Sequence, residues 1–361
     1  MTARAARPPR VLVCDDSPLL RRVLTDLLTD GGLTVVGEAR DGIELIGQAQ
    51  ALEPDVVTLD VEMPRRDGLA GLRELMRVRP TPVIMVSTLT GPGSAATVAA
   101  LAAGAIDAVQ KPALRLDPAR WGAARDELVA KVRAAAGARV AALAPAPRPA
   151  VPGARLAARA GAGGPLVLIA TSTGGPRALH AVLPQLPSPL GAGVVVVQHM
   201  PPGFTGPLAD RLDAESALSV REAADSDEIR PDTALIAPAG WHLAVTARGR
   251  VRRSAAPPVG ALRPRADITF ATAARHHGAG IVAVVLTGMG DDGLDGVRAV
   301  ARAGGRVIVE HERTCVVWGM PRAVEQAGLA DAVVPLDAIP LAIAEAVSAA
   351  ARPRARAAVS R

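Results

Sequence analysis

Acidic residues and one lysine stand where short apolar runs end in the first third of the chain. Asp15 and Asp16 close the first run, and Asp60 closes the third. Ser87 ends the fourth run, and Lys111 follows the fifth. If these runs are parallel strands, their carboxyl ends meet at one edge of a sheet, and three carboxylates there repel one another unless a divalent cation such as Mg²⁺ lies between them. The pattern predicts a magnesium site at which Asp60 accepts a phosphoryl group, with Lys111 and Ser87 binding phosphoryl oxygens.

A serine in a glycine-containing turn is the first candidate group in the second half of the chain. Ser172 lies in Thr-Ser-Thr-Gly-Gly, directly after the apolar run Leu166–Ile169. A serine between a strand and a helix is exposed above the sheet, and the helix N-terminus favours developing negative charge. The sequence predicts a nucleophile at Ser172, although a phosphate-binding loop or a plain turn would use the same glycines.

A serine nucleophile needs a base, and histidine is best matched to that task near neutral pH. Among the six histidines, His199 directly follows the apolar run Val194–Val197, so it also lies at the carboxyl end of a predicted strand. The others fall in helical patterns, turns or charged loops, where we expect solvated or hydrogen-bonded side chains: His180, His242, His276, His277 and His311. His199 is therefore the predicted base.

The histidine in turn needs a carboxylate to hold its tautomer and stabilise the imidazolium. The apolar run Val282–Leu286 is followed by Thr-Gly-Met-Gly-Asp-Asp-Gly, so both Asp291 and Asp292 are candidates. The glycines would let a backbone N–H, such as that of Met289, point at an oxyanion. A phosphate-binding loop is the alternative, although two aspartates would repel a phosphate. The order serine, histidine, acid differs from that of the α/β-hydrolases.

Alternating strand and helix patterns supply the elements that must position these residues. Such alternation, with strands apolar throughout, is typical of a parallel sheet covered by helices on both faces. The predicted strands are 10–15, 34–39, 55–60, 82–87 and 105–109, then 166–169, 194–197, 234–237, 282–286 and 306–309, with helices over 264–278 and 293–304. The predicted fold class is α/β, with an N-terminal flavodoxin-like (βα)5 domain linked to a C-terminal doubly wound, mostly parallel α/β domain.

Composition sets the domain boundaries and excludes some classes of function. The 361 residues suggest two or three domains, and we predict domains over 8–136 and 164–350, an Ala/Pro/Arg-rich linker over 137–163 and a basic tail over 351–361. Three Trp, two Phe and no Tyr leave almost no platform for stacking bases, which disfavours nucleic-acid binding. Two cysteines are too few for a disulfide framework, and no apolar stretch approaches the ~20 residues that span a bilayer. We expect a cytoplasmic protein.

The motifs of the first half resemble the receiver domain of two-component response regulators: Val11–Ser17, Asp60–Leu69, Met85–Thr88 and Lys111-Pro112. The resemblance implies that a histidine kinase phosphorylates Asp60 and that Ser87 and Lys111 take part in signalling. It assigns Mg²⁺ to Asp15, Asp16, Asp60 and the carbonyl of Glu62, and it implies a cis bond before Pro112. Ala108 stands where these domains often carry Tyr or Phe, which argues against signal transmission by an aromatic flip.

The motifs of the second half closely resemble the catalytic domain of chemotaxis protein-glutamate methylesterases, the CheB family, over about 165–347: Ser172–Gly175, Gln198–Thr205, Leu286–Gly293 and Cys315–Pro321. The resemblance implies that Asp292 rather than Asp291 completes a triad with Ser172 and His199, and that Met289 contributes to the oxyanion hole. This chain departs from the family in having Ala170-Thr171 where Gly-Ala is usual. It also has Leu-Arg-Pro-Arg over 262–265 where His-Arg-Pro-Ser is usual.

Together the two resemblances imply a phosphorylation-activated hydrolase that demethylates glutamate γ-methyl esters on chemoreceptors and deamidates receptor glutamines. The unphosphorylated receiver is expected to cover the esterase site. Ester hydrolysis needs no cofactor, and we expect a monomer that neither enters a membrane nor binds nucleic acid. The alternative is a regulatory binding protein of a non-motility chemosensory pathway, controlled by phosphorylation. A DNA-binding regulator is disfavoured because the second half shows no helix-turn-helix pattern.

Overall fold

The computed structural model describes residues 7–87, 92–112, 118–138, 164–260 and 262–351. The predicted linker 137–163 lies outside these residues apart from its first two positions, and so does the predicted basic tail apart from Ala351. None of the helices within the described ranges is long and apolar enough to cross a bilayer.

The N-terminal domain is a five-stranded parallel sheet with its helices on both faces. Its elements are β1 (Arg10–Cys14), α1 (Pro18–Asp30), β2 (Thr34–Ala39), α2 (Gly42–Leu52), β3 (Val56–Asp60), α3 (Gly68–Val78), β4 (Val83–Ser87), α4 (Pro92–Ala102), β5 (Asp107–Gln110) and α5 (Pro118–Ala136). The strand order β2-β1-β3-β4-β5 reverses between β1 and β3. In open α/β sheets ligands bind beyond the strand ends at such a reversal, and the candidate acids lie there.

Local interactions make the chain turn directly from strand ends into helices in this domain. The side chains of Ser17, Asp41 and Asp67 accept backbone N–H groups at the starts of α1, α2 and α3, respectively, and so satisfy donors that the helices leave unpaired. Gly68 packs so tightly that a Cβ there would lie 1.9 Å from the Asp60 carbonyl oxygen. Only glycine therefore lets α3 begin against the end of β3.

The C-terminal domain contains a seven-stranded parallel sheet and a two-stranded antiparallel hairpin. Its elements are β6 (Leu166–Thr171), α6 (Gly175–Val182), β7 (Gly193–Gln198), α7 (Thr205–Glu215), β8 (Ser219–Glu222), β9 (Thr233–Ile236), β10 (His242–Val245), β11 (Val251–Ser254), α8 (Ala266–His277), β12 (Ile281–Val285), α9 (Leu294–Arg302), β13 (Arg306–Glu310), α10 (Met320–Gln326), β14 (Ala332–Val334) and α11 (Ile339–Ala351). The sheet order is β14-β13-β12-β6-β7-β9-β8, and β10 pairs with β11. The chain turns to opposite sides of β6, so the end of β6 is the reversal point of this sheet.

The two sheets match the predicted fold class, and the elements that the sequence pattern missed are short. β8, β10, β11 and β14 have three or four residues each. β8 and β11 are mostly exposed, β14 is half-buried, and the mostly buried β10 begins with a histidine. They therefore lack the continuous apolar run that identified the central strands.

The prediction of a cis bond before Pro112 is wrong. Among the described residues, the cis bonds precede Pro189 and Pro264 instead. The trans isomer is favoured even before proline by about 0.5–1 kcal/mol.

The two domains pack directly against each other. α4 of the first domain contacts α6 and α7 of the second, and one continuous apolar cluster contains buried residues of both domains. Beside this contact, Val316 joins the apolar cluster that contains Val109 and Leu128 of the first domain. The N–H of Gly174 donates to the carbonyl of Ile106 at 3.1 Å. The first domain thus lies against the turn that follows β6.

Candidate active site

Ser172 directly follows β6, and its backbone groups make three hydrogen bonds. Its N–H donates to the Thr287 carbonyl at 3.0 Å, and its own carbonyl accepts the N–H of Gly175 at 2.8 Å and the side-chain Nε2 of Gln198 at 2.9 Å. Gly174 adopts a positive φ of 81°, a conformation that L side chains rarely take. The backbone is therefore fixed, whereas the Ser172 hydroxyl makes no hydrogen bond to a described residue.

His199 stands beside Ser172 because the two follow paired positions on neighbouring strands. Thr171 of β6 is in register with Gln198 of β7, and the His199 N–H continues the ladder to the Thr171 carbonyl at 3.1 Å. Adjacent strands are about 4.8 Å apart, so the two candidate residues leave the sheet edge next to each other. The His199 side chain is 9% exposed, and its Nε2 lies 2.8 Å from Oδ2 of Asp292. Nδ1 is the ring nitrogen that remains available on the other side.

Asp292 is the member of the acid pair that contacts His199. It is buried, whereas Asp291 is exposed. Besides His199, its carboxylate accepts the N–H of Ala266 at 2.7 Å and of Asp267 at 3.1 Å, at the start of α8. Burial favours the neutral acid, but the hydrogen bonds from His199 and these two amides outweigh it and hold the pKa of Asp292 below its ordinary value.

The loop after β12 brings backbone N–H groups close to Ser172. A Cβ on Gly288 would lie 2.9 Å from the Ser172 Cβ, so the loop and the serine are in close contact. Within the described part of the chain, nothing accepts a hydrogen bond from the N–H of Met289. The same holds for the N–H of Thr173, which directly follows the serine. Thr173 was missed by the sequence analysis, although the residue after a nucleophile often supplies such a donor.

A buried carboxylate accepts a hydrogen bond from this loop, and the sequence analysis did not identify it. Glu310 ends β13 with no exposed surface, and its Oε2 accepts the N–H of Thr287 at 2.8 Å. The Thr287 hydroxyl donates to the Thr173 carbonyl at 2.9 Å, and the Thr287 carbonyl accepts the Ser172 N–H at 3.0 Å. Burial raises the pKa of Glu310 to about 6, against the opposing effects of the Thr287 N–H and of Arg177. An apolar strand that ends in glutamate was the available signal.

The other histidines that the structure pairs have local partners. Nδ1 of His180 lies 2.9 Å from Glu215, and Nε2 of the buried His242 lies 3.1 Å from the Pro257 carbonyl. Nδ1 of His311 accepts the N–H of Arg313 at 3.1 Å. These contacts agree with the expectation that such histidines are hydrogen-bonded residues.

The acids of the N-terminal domain form a second cluster, at the reversal point of their sheet. One carboxylate oxygen from each of Asp15, Asp16 and Asp60 lies within 4.8 Å of the others. Asp15 and Asp60 are buried, and Nζ of Lys111 lies 2.7 Å from Asp60 and 3.2 Å from Asp15. The N–H of Glu62 donates to Asp60 Oδ1 at 3.3 Å. Lys111 pairs with two of the three clustered carboxylates, and the oxygen donors of the cluster fit Mg²⁺.

Charge and burial act against each other in this cluster. Burial raises the pKa of Asp60 to about 6, although Lys111 opposes the rise and Asp15 adds to it. Burial would lower the pKa of Lys111, but the two carboxylates outweigh burial and raise that pKa. Ser87 is buried at the end of β4, and its carbonyl accepts the N–H of Lys111 at 2.8 Å. The structure thus brings all the predicted receiver residues to one edge of the sheet.

Comparison with known proteins identifies the family to which both clusters belong. The chain matches the response regulator receiver domain over residues 11–117 and the CheB methylesterase over residues 167–343. A protein-glutamate methylesterase/protein-glutamine glutaminase from Symbiobacterium thermophilum is 50% identical over 360 residues, which covers 96% of this chain and 99% of that protein. The chain belongs to the CheB methylesterase family.

The chain is also similar to a second relative and to a solved structure. A protein of the same name from Pyrococcus abyssi is 43% identical over 357 residues, 94% of each chain. The crystal structure of the Thermotoga maritima CheB methylesterase catalytic domain is 45% identical, with a TM-score of 0.49, and covers 50% of this chain and 98% of that one. The pairing of a receiver domain with a CheB catalytic domain, expected from the motifs, is confirmed by the two family matches over residues 11–117 and 167–343.

Proposed function

We propose that this protein is a phosphorylation-activated hydrolase that removes methyl groups from glutamate γ-methyl esters of chemoreceptors and deamidates receptor glutamines at the same site. The observation that carries the proposal is the 2.8 Å contact of His199 with Asp292, at the sheet edge where Ser172 leaves the neighbouring strand. The names of the family members support the same substrate class.

In the first half of the proposed reaction, Ser172 Oγ attacks the γ-carbonyl carbon of the ester while Nδ1 of His199 takes the hydroxyl proton. Asp292 holds the other ring nitrogen and stabilises the imidazolium. The N–H groups of Met289 and Thr173 donate to the oxyanion, since neither is used within the described fold. The C–O bond to the methoxy group then breaks as the imidazolium protonates the methoxy oxygen, so methanol departs.

In the second half, a water molecule loses a proton to His199 and attacks the acyl-serine. The serine oxygen leaves with the proton from the imidazolium, and the receptor side chain is released as glutamic acid, which gives its proton to water and becomes the carboxylate. A glutamine substrate follows the same steps, with ammonia departing in place of methanol. No step needs a metal ion or an organic cofactor.

Control of this site by phosphorylation follows from the contact between the domains. Ile106 and the apolar cluster that contains Val316 lie against the turn that follows β6, and Ser172 itself is half-exposed. In the proposal, the docked first domain keeps a receptor helix, rather than water, away from Ser172. Phosphorylation of Asp60 by a histidine kinase shifts the equilibrium toward an arrangement in which this contact is open. β5 joins the two places, since Ile106 directly precedes it and Lys111 directly follows it. This route needs no aromatic side chain at Ala108.

The phosphoacceptor site has a role for each of its side chains. Asp15, Asp16, Asp60 and the carbonyl of Glu62 would hold Mg²⁺, which supplies positive charge against the phosphoryl oxygens when it is bound. Lys111 is released from Asp60 to pair with one phosphoryl oxygen. Ser87, at the end of the next strand, donates a hydrogen bond to another.

Methanol release from a methylated chemoreceptor fragment tests the proposal. Ser172→Ala should abolish turnover, whereas Asp60→Asn should keep the basal rate and lose only the stimulation by a small-molecule phosphodonor. Asp126→Asn removes the same charge from an exposed position on α5 and should respond like wild type. A Ser172→Ala protein that keeps the wild-type rate would show that the nucleophile is another group.

A further inference from the structure

Arg265 directly precedes α8 and lies beside the proposed triad acid, Asp292. Its Nε is 3.4 Å from Oδ1 of Asp292 and 3.1 Å from Oδ2 of Asp267, and its Nη2 is 3.0 Å from the same oxygen of Asp267. Its Nη1 donates to the Val259 carbonyl at 3.1 Å, and the side chain is 20% exposed. The guanidinium therefore bridges two carboxylates from a largely buried position.

The two carboxylates also connect the starts of α8 and α9 by hydrogen bonds. Asp292 accepts N–H groups from the first two residues of α8, and Asp267 of α8 accepts the N–H groups of Gly293 at 3.0 Å and Gly296 at 2.8 Å, at the start of α9. This exchange brings two negative charges together, and the exposed Asp291 adds a third nearby. Burial raises the pKa of Asp267, and the charge of Asp292 raises it further. One cation that touches both carboxylates relieves this repulsion.

We propose that Arg265 is a positioning residue of the catalytic site, which fixes Asp292 through the bridge to Asp267 and offsets part of the negative charge that His199 meets. The proposal rests on the function proposed above for Ser172, His199 and Asp292. A positive charge behind Asp292 disfavours the imidazolium relative to the neutral ring. His199 therefore remains an effective base at lower pH than it would with serine at position 265.

Three carboxylates surround the Arg265 guanidinium, and only one of them contacts His199. Asp267 faces Arg265 from α8, and Asp291 and Asp292 face it from the loop before α9. His199, after β7, meets the bridge only through Asp292. Removal of the guanidinium therefore leaves three acids without their shared cation. We expect the midpoint of the acid limb of the kcat/KM profile to rise by about 0.5–1 pH unit.

The experiment compares Arg265→Ser, Arg265→Lys and wild type as full-length proteins. Arg265 is the N-cap residue of α8, a position at which serine is favoured, so the first variant is compatible with the fold. Lysine keeps the charge without the planar fork. The readouts are the pH profile of kcat/KM for methyl ester hydrolysis and the midpoint of the His199 imidazole titration, followed by NMR. Arg298→Gln is the matched control, because Arg298 pairs with the exposed Asp295 at the start of α9.

Arg265→Ser should raise both midpoints, Arg265→Lys should restore at least half of the difference, and Arg298→Gln should leave both at the wild-type value. A fall in kcat at all pH values with unmoved midpoints would overturn the proposal, because it would indicate structural support alone. Equal midpoints for the serine and lysine variants would also contradict it. The NMR titration does not need turnover, so it tests Arg265 even if the esterase assignment fails, and only the Ser172→Ala assay tests that assignment.

Discussion

The stability of Glu310→Gln relative to wild type should increase as pH rises, because the substitution replaces a buried titratable group beneath the loop that follows β12. Burial raises the pKa of Glu310 from 4.5 to about 6, so folding favours the protonated carboxyl group. Below pH 4.5 the group is protonated in both the folded and the unfolded chain. Between pH 4.5 and about 6 the unfolded chain is ionised while the folded chain still holds the proton, so the folded state loses stability as pH rises. Above pH 6 both states are ionised and the loss is complete. One pKa unit corresponds to about 1.4 kcal/mol, so the full loss is about 2 kcal/mol.

Glutamine does not titrate, and its carbonyl oxygen still accepts the Thr287 N–H. The difference in the free energy of unfolding, variant minus wild type, should therefore increase by about 2 kcal/mol between pH 4.5 and pH 7.5. Urea denaturation at several pH values, followed by tryptophan fluorescence, measures this difference. Two of the three tryptophans, Trp241 and Trp318, lie in the domain that contains Glu310. The change with pH does not depend on any constant offset that the amide introduces.

Glu325→Gln provides the control, since it removes the same charge from an exposed position on α10. Its free energy of unfolding should stay within about 0.5 kcal/mol of wild type throughout. If the Glu310→Gln difference is constant across the pH range, Glu310 does not titrate as a buried group and the account of the loop is wrong. A difference that decreases with rising pH would contradict the direction of the argument.

Three further substitutions test close packing and capping. Gly288→Ala should lower both kcat and the melting temperature, because the new Cβ would lie 2.9 Å from the Ser172 Cβ, an overpacking that costs about 1–3 kcal/mol; unchanged kinetics would refute the close contact. Gly68→Ala places a Cβ 1.9 Å from the Asp60 carbonyl oxygen and should abolish phosphorylation by a small-molecule donor, as measured by phosphoprotein gels. Asp67→Ala removes the cap of α3 and should cost about 1 kcal/mol in urea denaturation, and no loss would show that the cap is energetically idle.

Much of the fold was predictable because its central strands are buried on both faces. Leu166–Thr171 and Gly193–Gln198 are fully buried, so their apolar runs located them in the sequence to within two residues. The same runs located Ser172 and His199, since each directly follows the end of its strand. Parallel pairing then brings the two together with no further information.

Other features depend on tertiary contacts that no local pattern records. Glu310 supports the loop after β12 only because β13 pairs with β12, and Arg265 reaches two carboxylates only because the starts of α8 and α9 meet. The hydrogen bond between Gly174 and Ile106 requires the docking of two domains that the sequence showed merely as neighbours. Sequence patterns thus found the residues at strand ends, whereas packing determines which groups support and cover them.

Covalent labelling by a serine-reactive fluorophosphonate, mapped by mass spectrometry, tests most directly whether a hydroxyl is activated by the His199–Asp292 pair. We predict one adduct, on Ser172, that forms faster after the protein is treated with a phosphodonor and is lost in His199→Gln. An unlabelled Ser172 in the phosphorylated wild-type protein, or equal labelling rates in wild type and His199→Gln, would contradict the central claim.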